Sequence, residues 1–185
     1  MRLLPALAAA AAVAVLAPGA AAASPSPARF TTAYGTFTAA ASGAPAVTYR
    51  PDLVPAGARA HVFSVSATGT TTLLFVTGLR PGRAYGAHAH AQPCGATGDA
   101  AGPHFQHAPD PVKPSVDPAY ANPRNEIWLD FTTDRAGTGF ARSTVDWTFA
   151  DRRAKSVVVH ETHTHTDPGH AGTAGARLAC LNVGF

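Results

Sequence analysis

Gly86-Ala87-His88-Ala89-His90 is the stretch around which this chain is read. On a β-strand, side chains at i and i+2 share a face. His88 and His90 then stand side by side, and the small Ala87 and Ala89 face the other way. Two neighbouring imidazoles on one face make half of a metal site. Cys94 and Gly102-Pro103-His104-Phe105 follow, so three histidines and one cysteine fall within 17 residues.

Outward from this stretch the pattern is β-like. Strand candidates lie at residues 47–50, 58–65 and 70–76, rich in Thr, Val, Leu and Phe as strands are. Gly78-Leu79-Arg80-Pro81-Gly82 is turn chemistry before the histidine strand, residues 85–91. Periodicity then stops for 34 residues, 92–125, which hold seven prolines. So long an irregular segment in a compact domain is usually functional. Strands resume at residues 126–132, 140–149, 156–160 and 177–183, the third ending on His160. Between the last two lies a second irregular loop, 161–176, with His163, His165 and His170. No heptad and no 3.6-residue period of helical length appears. Short strands with regular turn signals predict an all-β antiparallel sandwich or barrel.

The N-terminus reads as a disposable leader. Met1-Arg2-Leu3-Leu4, an Ala/Val/Leu run to Leu16 and small residues to Ala23 match a secretory signal peptide, residues 1–23, cut near Ala23. The apolar run is too short and alanine-rich for a membrane span. Residues 24–45 are rich in Ala, Ser, Pro and Thr and are expected to be a mobile extension, on which Phe30, Tyr34 and Phe37 offer docking points. The folded domain is expected at 46–185. In an oxidising compartment the two cysteines, Cys94 and Cys180, invite one disulfide; otherwise they stay as two buried thiols. Closing that loop would contribute on the order of 4 kcal/mol in the chain-entropy model. Without the leader the charge is close to balanced, 13 basic against 11 acidic residues, which does not suit a nucleic-acid partner. No phosphate-binding glycine loop and no hydrolase serine elbow is present.

Four features occur in order: His88-x-His90, His104 within Gly102-Pro103-His104-Phe105, His160 within Val157-Val158-Val159-His160-Glu161, and Arg177 within Gly175-Ala176-Arg177-Leu178-Ala179-Cys180. Together they resemble the copper/zinc superoxide dismutase family, over residues 78–185. The resemblance implies an eight-stranded antiparallel Greek-key barrel or flattened sandwich with two long functional loops. It implies that His88, His90, His104 and His160 are ligands of one copper ion, with His104 at the position that bridges to zinc. Imidazole suits both Cu(II) and Cu(I), so the chemistry agrees. It also implies a Cys94–Cys180 disulfide and an Arg177 that guides superoxide to the metal. His61 has no matching partner and reads as an ordinary strand residue.

The departures from the family are as informative. A closed zinc site wants four good ligands. After His104 the loop offers His107, Asp110 and Asp117 as weak candidates, with Asn122-Pro123-Arg124-Asn125-Glu126 where a histidine and an aspartate would stand. Zinc is therefore expected to be absent, as in the copper-only branch of the family. The second ring nitrogen of His104 then needs another partner. Glu126 is the candidate, against the plainer reading of a strand-edge charge. Loop 161–176 is short and holds only two acids, Glu161 and Asp167, which would leave copper more open to solvent. Its histidines read as a solvated loop, or else as a surface copper-acquisition site or replacement zinc ligands donated from this loop.

The expected function is secreted superoxide dismutation by Cu(II)/Cu(I) cycling, with His104 and Arg177 as the working side chains and superoxide as the partner. A secreted copper-binding protein that buffers the metal without catalysis is the second reading, and a metal-free relative of the fold the third.

Overall fold

The computed structural model describes residues 27–39 and 44–185. The leader, residues 1–23, lies outside them. Among the described residues ten strands form two sheets: β1 Arg29–Thr36, β2 Thr38–Ala39, β3 Ala46–Thr48, β4 Arg59–Ser66, β5 Thr70–Thr77, β6 Ala84–His90, β7 Phe131–Thr132, β8 Gly139–Val145, β9 Ser156–His160 and β10 Arg177–Asn182. One sheet has the order β1-β4-β5-β8, the other β2-β3-β10-β9-β6-β7. Every ladder is antiparallel except β2 with β3. Among the described residues helix is confined to one 3₁₀ turn, Gly98–Ala101.

The two sheets pack as a sandwich and do not close into a barrel, which corrects one half of the expectation. β7 and β8 approach each other at the corner, but the Phe131 ring lies against Gly139, where a side chain would collide with it. Packing, not a hydrogen-bond ladder, joins the sheets there. The eight expected segments each carry a strand, β3 to β10. The two others come from the stretch expected to be a mobile extension. β1 pairs with β4 along its whole length, from Arg29 opposite Ser66 to Thr36 opposite Arg59. The sandwich thus begins well before Ala46. Thr, Tyr and Phe in β1 favour the pleat, and Gly35 lets β1 lie against Ala46 and Leu181.

In β4, β5 and β8 burial alternates residue by residue, so one face meets the core and the other meets solvent. Tyr34, His61, Phe75 and Phe140 align across all four strands on that outer face, and all are exposed. The core between the sheets holds Leu74, Val76, Tyr85, Leu129, Val159 and Leu181.

β6 and β9 differ: they are buried on both faces. Ala87 and Ala89 point into the core, so His88 and His90 point outward, where the long loop covers them. After His90 the chain leaves the sheet and folds back over that face. His104 then sits opposite His90, Gln106 opposite Glu126, and Trp128 opposite His88. Of the expected strand 126–132, only Phe131–Thr132 joins the ladder; the rest makes these single bridges.

Candidate metal centre

The fold brings four histidines to one point. His88 and His90 come from β6, His104 from the returning loop, and His160 from the end of β9, opposite Gly86. One ring nitrogen of each lies within 4.8 Å of the others. Close cover is needed here, because Gly86 runs beneath loop 161–176: a Cβ on it would lie 2.5 Å from the Thr162 carbonyl oxygen.

The hydrogen bonds fix which nitrogen three of the rings offer, those of His88, His90 and His104. Asp130 Oδ1 accepts from the Thr164 hydroxyl at 2.8 Å, so Thr164 Oγ1 accepts in turn from His88 Nε2–H at 2.7 Å. His88 Nδ1 is left buried with no hydrogen-bond partner. His90 Nδ1–H donates to the Gly102 carbonyl at 3.0 Å, which leaves Nε2 toward the cluster. His104 Nδ1–H donates to Glu126 Oε2 at 2.8 Å. His160 Nδ1 is buried without a partner, and its Nε2 lies 3.2 Å from His90 Nε2. Buried lone pairs aimed at a common point, one of them wholly unpartnered, are costly unless a cation joins them. The arrangement fits a metal ion.

Electrostatics favours the same state. Burial, then the neighbouring imidazoles and Arg177, holds His88 and His90 well below the ordinary histidine range. Burial, followed by His104 and Arg177, brings His160 down to about 3. These rings are neutral at pH 7, as a ligand must be. Four nitrogens with no thiolate and no carboxylate suit Cu(II), Cu(I) or Zn(II).

Glu126 is the hub of the neighbouring polar network. Its side chain is 2% exposed, and its carboxylate accepts from His104, from Trp128 Nε1 at 2.7 Å and from Gln106 Nε2 at 2.8 Å. Gln106 also donates to Ser115 Oγ, which donates to Asp110 Oδ2. The three candidate zinc ligands are not brought together. His107 is exposed and stacks on Trp147 with ring centres 4.9 Å apart. Asp110 accepts from Ser115 and from the Val112 backbone, and Asp117 accepts from the Ala119 backbone.

Arg177 lies directly across the β9–β10 ladder from His160, beside a register shift. Its Nη1 donates to the Gly98 carbonyl at 2.9 Å. Gly98 is held close, since a Cβ there would be 2.7 Å from the Arg177 Cβ. A disulfide between Cys94 and Cys180 ties this part of the loop to β10. Cys94 N–H donating to Asn182 Oδ1 and Tyr49 O–H donating to the Gly95 carbonyl secure it further. Arg177, His104, His160, Glu126 and Lys113 line one cavity of about 660 Å³. His104, at 17% side-chain exposure, is the least buried of the four imidazoles.

Three participants escaped sequence reasoning: Thr164, Asp130 and Trp128. Thr164 sits between His163 and His165, which drew attention by type. His163 turns away, with Nε2 3.0 Å from the Phe131 carbonyl. His61 sits apart, on the outer sheet face beside Thr32.

No family model matches the chain, and no curated protein matches it in sequence. Solved structures do share its fold. The Cu/Zn superoxide dismutase from Brucella abortus superposes with a TM-score of 0.57 at 18% identity, covering 85% of this chain and 100% of that one. A mutant of an SOD-like protein from Bacillus subtilis gives 0.50 at 15% identity, covering 68% and 88%. At such identities the likeness shows the fold alone. Among the described residues no helix is long and apolar enough to cross a membrane.

Proposed function

We propose that this chain is a secreted copper superoxide dismutase that works with one copper and no zinc. The observation that carries the reading is the buried four-imidazole cluster, which opens through His104 and His160 onto a cavity that also holds the Arg177 guanidinium. His88, His90, His104 and His160 would hold the ion. Bound copper supplies one-electron oxidation and reduction as Cu(II) and Cu(I), by which two superoxide anions and two protons become dioxygen and hydrogen peroxide.

The protein's own groups do the rest. Arg177 draws the anion into the cavity and offers N–H donors to it. Glu126 keeps the proton of His104 on Nδ1, so Nε2 is the working atom of that ring. When it is not holding the ion, the His104 Nε2 lone pair would take a proton from water in the cavity that His104 lines and hand it to the reduced product, with the Glu126 carboxylate balancing the transient charge on the ring. Glu126 takes over the orienting task that a second metal performs elsewhere in the family, and Asp110 and Asp117 are already engaged in holding the loop. Residues 1–23 and the disulfide support export. The Greek-key connection of eight of the strands belongs to the same reading.

Metal analysis of protein from its native host, together with His160→Ala, tests this. After a brief chelator wash, one tightly held copper and no zinc per chain, with that copper and dismutation both lost in the variant, is expected. One zinc and no copper would overturn it. Copper bound at one equivalent with no dismutation would favour the buffering protein, a reading that the exposed histidines of loop 161–176 favour.

A further inference from the structure

Loop 161–176 contains a second cluster of metal-binding side chains that the four-histidine centre does not use. His170 Nδ1 lies 2.8 Å from Asp167 Oδ2, and His165 Nδ1 lies 3.8 Å from Asp167 Oδ1. Two imidazoles thus flank one carboxylate, within six residues of sequence. The backbone that presents them is ordered. His165 N–H donates to the Thr173 carbonyl, Gly172 N–H to the His165 carbonyl, and His170 N–H to the Asp167 carbonyl. Gly169 N–H reaches the Val116 carbonyl, so the tip is tied to the long loop as well.

We infer that His165, Asp167 and His170 form an exposed binding site for a borderline divalent cation, Cu(II) foremost. Two imidazoles and a carboxylate select Cu(II), Ni(II) and Zn(II) over the hard cations, and Cu(II) heads that series. The rings approach opposite oxygens of the carboxylate, so a cation among them requires each ring to swing inward. Side-chain exposures of 55% for His165 and 70% for His170 leave both free to do so. Three protein donors leave further positions to water, so the metal held here is exchangeable. The site also stands close to the buried centre in sequence: Gly172, Thr173 and Gly175 of the same loop line its cavity.

Equilibrium dialysis against micromolar Cu(II), with copper counted by mass spectrometry, tests the assignment. The parent protein is expected to take two copper ions per chain and the His165→Ala/His170→Ala double variant one. A brief chelator wash should strip one of the two ions from the parent and none from the double variant. A single ion in the parent overturns the inference, as does a second ion that persists in the double variant. His160→Ala separates the two sites, since it removes the chelator-resistant ion and leaves the strippable one.

Discussion

Glu126 Oε2 lies 2.8 Å from His104 Nδ1, inside a wall where the carboxylate is almost wholly buried. One charged group thereby decides which nitrogen of the cavity-facing imidazole is free. It accepts three N–H donors, from His104, Trp128 and Gln106. A carboxylate answers all three; an amide would set its own N–H₂ against one of them.

Glu126→Gln is therefore expected to weaken copper binding by about 10- to 100-fold, the usual cost of losing an orienting partner behind a ligating histidine. Competition against a chelator of known affinity measures it. An unchanged affinity would reduce Glu126 to a structural residue.

Thr164→Val keeps the side chain's shape and removes the acceptor from His88 Nε2–H. The N–H is then buried unpaired, which costs about 1–3 kcal/mol. Denaturant unfolding of the metal-free variant should show that loss, and Thr164→Ser should restore it. Equal stability of the valine variant would mean that the ring re-pairs elsewhere.

The metal-free protein should lose stability in acid in a defined window. His160 has its folded pKa lowered to about 3, below the roughly 6.5 of an unfolded chain. Between those values the unfolded state binds a proton that the folded state does not. Stability is thus full above about pH 6.5 and falls as the pH drops toward the folded value, by about 1.4 kcal/mol per pH unit for each such histidine. His88 and His90 shift the same way. Unfolding free energies of metal-free protein from pH 8 to pH 4 test this, and a flat profile would contradict it.

Arg177→Ala should lower the dismutation rate and flatten its dependence on ionic strength, because salt screens the attraction that the guanidinium supplies. Rates measured across a salt series report both. Equal rates at every salt concentration would remove Arg177 from the reaction.

Much of this architecture was legible in the sequence because it is local. The i, i+2 spacing of His88 and His90 set them on one face, and Thr, Val and Phe runs marked β3 to β10. β1 was hidden because Ala and Ser around it look like a linker, while its Thr, Tyr and Phe acquire meaning only against β4. Asp130, Thr164 and Trp128 were hidden for the same reason. Thr164 meets His88 across 76 residues and Asp130 across 34, and no spacing rule spans such distances. Glu126 was a candidate on a chemical need, a partner for the second ring nitrogen of His104, and its carboxylate lies 2.8 Å from that nitrogen.

The most direct measurement of the central claim is the decay of a superoxide pulse in the presence of copper-loaded protein. The account predicts catalytic decay, many superoxide anions per chain, with first-order dependence on protein and loss of the effect in His160→Ala. Decay that consumes about one equivalent and stops, or that matches free buffer while one copper stays bound, would contradict it.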